Sequence, residues 1–133
     1  MKDQKLVLLV DDDPDDLFLI EHTFRKAGLN LAFIKLRSGL EAVDYLAGRG
    51  NFSNRADHPL PCLIVIDSKM PGVNGFDFLA WKGGTPFQSI PVIMISGSLR
   101  EEDRKLALTS GAVKYIVKPV QKTDLRDIAK MLG

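Results

Sequence analysis

The chain has 133 residues, the length of one domain that buries roughly two thirds of the surface its unfolded form exposes. Eighteen basic against seventeen acidic residues give a formal charge of +1, which excludes the basic surface of a general nucleic-acid binder and the polybasic face of a membrane-surface protein. The single cysteine, Cys62, excludes an internal disulfide and fits a reducing compartment, so a cytoplasmic location is expected.

The first predicted strand, Leu6–Val10, is too short for a signal-peptide core or a membrane span, and it runs straight into Asp11-Asp12-Asp13-Pro14-Asp15-Asp16. A helix follows, with Leu17, Ile20, Phe24 and Ala27 at spacings of three and four; Phe18 lies off that stripe, and Gly28 supplies a left-handed stop. After a second strand, Ala32–Leu36, the pattern Ser38-Gly39-Leu40-Glu41 reads as a capping box opening the second helix. Gly48–Pro61 is a long irregular connection rich in Gly, Asn, Arg and Pro, read as an insertion and not as a domain boundary. The third strand, Leu63–Ile66, ends on Asp67, and Trp81 is expected as a packing anchor on the helix after it, which Gly83-Gly84 terminates. Val92–Ile95 ends on Ser96, and Ser98-Leu99-Arg100-Glu101 reads as a second capping box. The fifth strand, Val113–Val117, ends on Lys118, and Leu125, Ile128, Ala129 and Leu132 mark the core face of a last helix.

Short apolar strands alternating with helical periods predict βαβ units and a doubly wound parallel sheet in a single domain over residues 1–133. All parallel strands of such a sheet point one way, so residues just past their carboxyl ends share one edge however far apart they are in sequence. That edge receives the Asp11/Asp12/Asp13 cluster, Asp67, Ser96 and Lys118. Crowded carboxylates repel in a low-dielectric site unless a cation offsets them, and hard oxygen donors point to a metal such as Mg²⁺. A further carboxylate, a hydroxyl and an ammonium complete a set suited to phosphate chemistry. Asp13, Asp15 and Asp16 have a simpler reading as first-turn acids around Pro14, favoured by the helix macrodipole. A phosphatase of the haloacid dehalogenase type would use an acid after the first strand and another two residues on, a spacing Asp11 and Asp13 formally permit, but it would leave Asp67, Ser96 and Lys118 without their roles.

Leu9-Val10-Asp11-Asp12, Ile66-Asp67-Ser68-Lys69-Met70-Pro71-Gly72 with Gly75, Ser96, and Lys118-Pro119 together resemble the receiver domain of two-component response regulators, over the whole chain. The resemblance implies a flavodoxin-like (βα)5 three-layer sandwich with strand order 2-1-3-4-5. It makes Asp67 the phosphoacceptor and gives a Mg²⁺ site, with Mn²⁺ a substitute, to Asp11, Asp12, Asp67 and the backbone carbonyl of Lys69. Ser96 and Lys118 would stabilise the phosphoryl group, Ser96 and Tyr115 would act as the switch, and the bond before Pro119 would be cis. The implied partners are a sensor histidine kinase or a histidine phosphotransfer protein and a downstream protein target, with no direct contact to nucleic acid or membrane. A monomer or a phosphorylation-dependent dimer is expected, signalling as a phosphoacceptor and not as an enzyme, while an interaction protein that keeps the fold without phosphorylation is the other reading. Side chains at Lys69 and Ser98 look into the phosphate region in the family. The long connection, with Asn51-Phe52 and His58-Pro59-Leu60-Pro61, resembles stand-alone regulators that serve phytochrome-type kinases. His22 lies on the helix beside the acid cluster, and a docking role is the minor reading for it.

Overall fold

Runs of Val, Leu and Ile buried on both sides form the centre of the molecule, which a computed structural model describes over residues 4–132. The strands are β1 (Lys5–Val10), β2 (Leu31–Leu36), β3 (Leu63–Asp67), β4 (Val92–Ser96) and β5 (Lys114–Val117). They pair in parallel in the order β2-β1-β3-β4-β5, the expected topology. Helices α1 (Pro14–Lys26), α2 (Gly39–Ala47), α3 (Gly75–Lys82), α4 (Glu101–Thr109) and α5 (Ile128–Leu132) connect and cover them. Asp67 and Ser96 are the last residues of their strands, and Val113 lies outside β5 and is exposed.

The two-residue period of each strand divides the core into two layers. Leu8, Val10, Ile64, Ile66 and Met94 pack with Tyr45, Leu46, Phe78 and Ala107 on one side. Val7, Leu9, Val65, Ile93 and Ile95 pack with Leu17, Ile20, Phe24, Leu125 and Ile128 on the other. Phe24 is 1% exposed at the centre of that second layer, so truncating it to Ala would cost about 3–5 kcal/mol.

Helix termini follow local chemistry. Asp13 caps α1 by accepting from the Asp15 N–H, with Pro14 at the first helical position and Gly28 in the left-handed region just beyond. Ser38 caps α2 through the Glu41 N–H, but the Glu41 carboxylate reaches one residue further back than a capping box requires, to the Arg37 N–H. The full box occurs instead at α3, between Asn74 and Asp77. The box expected at Ser98 does not form. α4 starts later, after Arg100, and the Ser98 hydroxyl donates to Asp103 at 2.6 Å while accepting from the Arg100 N–H. The last helix is also shorter than its stripe suggests: a 3-10 turn at Lys122–Leu125, boxed by Gln121 and Asp124, precedes α5, although Leu125, Ile128 and Leu132 all face the core. Ala129 belongs to α5, and its side chain lies outside the described residues.

The 48–61 connection folds back onto α2. Tyr45 donates its hydroxyl proton to Pro59 O at 2.8 Å, and its ring meets Phe52 at 5.1 Å and His58 at 5.9 Å. Arg55 donates to the carbonyls of Tyr45 and Leu46 at the end of α2 and to that of His58 in the connection itself. Trp81 packs between Phe78 and Phe87 as expected.

Two glycines let the β3–α3 loop sit close to its neighbours. A Cβ on Gly75 would lie 2.6 Å from Asp67 O, and one on Gly39 would collide with the backbone of Val73.

Candidate functional site

Register brings the polar residues together. Val10 is level with Ile66, so Asp11 and Asp67 emerge side by side from β1 and β3. Asp67 pairs with Ile95 and Ser96 with Val117, which sets Ser96 and then Lys118 along the same edge. Backbone bonds across the strand ends fix this arrangement: Ser68 N–H to Ile95 O at 2.9 Å, Lys118 N–H to Ser96 O at 2.8 Å and Asp11 N–H to Leu36 O at 3.0 Å.

Asp11, Asp12 and Asp67 each offer a carboxylate oxygen within 4.8 Å of the others, the expected acid group. Asp11 is 1% exposed, Asp67 is buried and Asp12 faces solvent. Hard, negatively charged oxygens at this spacing, one of them open to water, are a donor set that fits Mg²⁺ or Mn²⁺. Asp13 is not part of this group, because its carboxylate caps α1; the dehalogenase-like use of Asp11 with Asp13 therefore finds no support.

Lys118 is the cation of the pocket. Its Nζ lies 3.0 Å from Asp11 Oδ2, 2.6 Å from Asp16 Oδ2 and 3.3 Å from Asp67 Oδ1. Burial works against the ammonium, but the bonds to Asp16 and Asp11 and the charges of Asp11 and Asp67 outweigh it, so its pKa is held above the ordinary lysine value. Burial pushes the Asp11 carboxyl up to about 6, opposed by the Asp13 N–H and Lys118. Burial likewise raises Asp67, against the pull of Lys118 and of the Lys69 N–H.

Ser96 is fully buried at the other end of the pocket, accepting from the Ser68 hydroxyl at 2.8 Å and from the Ser98 N–H at 3.0 Å. Tyr115 is 6% exposed and donates its hydroxyl proton to Ser98 O at 2.9 Å, so Ser98 joins Ser96, Tyr115 and, through Asp103, α4. The Lys69 side chain is exposed, and the Lys118–Pro119 bond is cis. His22 stacks on the exposed Phe18 at 6.0 Å on α1, apart from the acid group.

Reasoning from sequence missed Asp16 and Ser68. Asp16 sits in the first turn, as its reading as a dipole partner requires, yet its carboxylate turns to Lys118; its place one turn beyond Asp12 was the available signal. Ser68 follows Asp67 directly, and only the parallel register with β4 shows that its hydroxyl meets Ser96.

Residues 7–130 match the family model described as the response regulator receiver domain. The chain is 30% identical over 129 residues to response regulator Rcp1 of Synechocystis sp., covering 96% of this chain and 84% of that protein. A solved structure of the Mn²⁺-bound form of Rcp1 superposes with a TM-score of 0.77 at 29% identity, covering 96% of this chain and 88% of that one. The bacteriophytochrome response regulator AtBRR superposes at a TM-score of 0.84 with 32% identity, over 99% of this chain and 94% of the other. The phosphorylated cyanobacterial phytochrome response regulator RcpA gives 0.79 at 29% identity, over 96% and 90%.

Proposed function

Since the chain belongs to the response regulator receiver family, we propose that it accepts a phosphoryl group on Asp67 from a histidine of a sensor kinase or phosphotransfer protein and thereby switches its protein contacts. The observation that carries this reading is the convergence of Asp67 with the Asp11/Asp12 pair and the Lys118 ammonium at one sheet edge.

An Asp67 carboxylate oxygen attacks phosphorus, the phosphorus–nitrogen bond of the donor breaks, and its electron pair leaves on the imidazole, which takes up a proton. Asp67 is a poor nucleophile toward an anionic phosphorus while its own charge and the donor's stand unopposed, and Lys118, 3.3 Å away, offsets both. A divalent cation held by Asp11, Asp12, Asp67 and the Lys69 carbonyl would supply charge neutralisation and an oxygen template there. Ser96 accepts two hydrogen bonds already, so its own proton is the group left to donate to a phosphoryl oxygen.

Drawing Ser96 toward the phosphoryl group pulls on the Ser98 N–H, and through Ser98 on Tyr115 and α4, which is the switch the two residues would form. One such charge-assisted bond is worth about 1.5–3 kcal/mol, short of the roughly 5.5 needed to invert a 1:99 equilibrium, so Lys118 and the metal must contribute. Likeness to the phytochrome-associated regulators supports a phytochrome-type sensor kinase as donor, and the acting form in this reading is a cytoplasmic monomer or phosphorylation-dependent dimer. No described helix is long and apolar enough to cross a membrane.

The test is intact mass after incubation with acetyl phosphate and Mg²⁺. We expect a gain of one phosphoryl group that EDTA and Asp67→Asn each abolish. A gain that survives Asp67→Asn would move the acceptor elsewhere; none from the unsubstituted protein would mean strict dependence on its kinase if beryllofluoride and Mg²⁺ still bind, and a receiver fold used without phosphorylation if they do not.

A further inference from the structure

The shortest contact of the Lys118 ammonium is with neither the acceptor nor the buried acid of the pair but with Asp16, on α1. An ammonium has three N–H donors. Asp16 and Asp11 each take a hydrogen bond, at 2.6 and 3.0 Å, and Asp67 is left the longer ion-pair contact at 3.3 Å. The helix does not require the Asp16 carboxylate, because Asp13 caps it and Asp15 places a second acid in the first turn.

We propose that Asp16 is a positioning residue that holds the Lys118 ammonium on the α1 side of the pocket before reaction and yields it when a phosphoryl group arrives on Asp67. This rests on the phosphoacceptor reading above. Of the three carboxylates Asp16 is the one that can let go: its side chain is 29% exposed, against 1% for Asp11 and 9% for Asp67, so it alone is rehydrated after release. Asp16 and Lys118 also line a cleft of about 340 Å³ together with Leu19, Thr23 and Val120, which gives the freed carboxylate room to turn. A phosphoryl group adds charge at Asp67 and draws the ammonium toward it, against the short contact by which Asp16 holds Lys118 on the α1 side in the resting state. Asp16 is thus a brake on the acceptor, and it links occupation of Asp67 to the conformation of α1.

The test compares the rate of phosphorylation by acetyl phosphate with saturating Mg²⁺ for the unsubstituted protein, Asp16→Asn, Asp16→Glu and Asp15→Asn. Asp16→Asn should raise the maximal rate about three- to ten-fold, and Asp16→Glu, which keeps the carboxylate, should return it to the original value. Asp15→Asn removes an equal charge from the same turn and should leave the rate unchanged. The gain should persist in about 0.5 M salt, where screening acts within about 4 Å and long-range repulsion of the anionic donor is lost. Equal rates for Asp16→Asn and the original, a gain shared by Asp15→Asn, or a gain erased by salt would each overturn the proposal while leaving the acceptor in place. A melting temperature lowered without any gain in rate would reduce Asp16 to a structural ion pair. Absence of both phosphorylation and beryllofluoride binding in the unsubstituted protein would overturn the acceptor reading, and this proposal with it.

Discussion

Beneath the 48–61 connection, the Arg55 guanidinium donates to the carbonyls of Tyr45, Leu46 and His58; at the carboxyl edge of the sheet, the Lys118 ammonium lies among the carboxylates of Asp11, Asp16 and Asp67. Both cations are half-buried and both serve three acceptors. The planar fork of Arg55 meets neutral oxygens fixed by the end of a helix, so one arrangement satisfies every partner. The rotatable point charge of Lys118 meets three anions that compete for it, and the balance changes whenever one of them gains or loses charge. One cation locks a connection in place, and the other, in the proposal above, is reallocated.

The largest effect that tests this contrast is on the locked side. Arg55→Ala leaves two acceptors at the end of α2 and a third in the connection to be satisfied by water, and should lower unfolding free energy by about 2–3 kcal/mol, with the phosphorylation rate unchanged. Arg55→Lys should recover less than half of that loss in urea denaturation, because an ammonium cannot reproduce the fork. Full recovery would show that charge alone suffices there.

The pocket should respond to pH where the connection does not. Burial raises Asp11 from 3.8 to about 6, so the folded state binds that proton more tightly than the unfolded chain does. Its contribution to stability is therefore fully present below pH 3.8 and is lost as pH rises through about 6. In metal-free protein, Asp11→Asn should be more stable than the original above neutrality by about 1–3 kcal/mol, with the difference closing toward pH 4. Equal stabilities at pH 8 would mean that Lys118 already compensates Asp11 in full.

The smallest effect joins the pocket to α4. Tyr115→Phe removes the bond to Ser98 O and should cost about 1 kcal/mol. If phosphorylation then altered partner affinity as strongly as before, the hydroxyl would be excluded from the coupling, and Tyr115→Ala would test the ring.

What could be read beforehand divides along the same line. The central strands β1, β3 and β4 were legible because burial on both faces leaves unbroken apolar runs, and Asp67, Ser96 and Lys118 were legible because each stands at the end of an apolar run. Ser98 misled because a serine followed three residues later by a glutamate satisfies the capping pattern, whereas its carbonyl and hydroxyl are engaged by Tyr115 and Asp103 and the helix starts later. Asp16 was hidden because its partner lies 102 residues away, and a first-turn acid already has a local explanation. Arg55 was hidden for the opposite reason: nothing about an arginine in an irregular segment says that it ends a helix belonging to the preceding stretch of chain.

The absent side chains at Gly39 and Gly75 have a mechanical meaning. The loop carrying Ser68 to Asn74 is seated between two helix starts, with Val73 backbone against Gly39 and Asp67 O against Gly75. A methyl group at position 75 would act as a shim under the carbonyl of Asp67, lifting Asp67 relative to the acid pair that follows β1. Two hydrogen atoms thus serve as the gauge blocks that set the depth of the acid pocket.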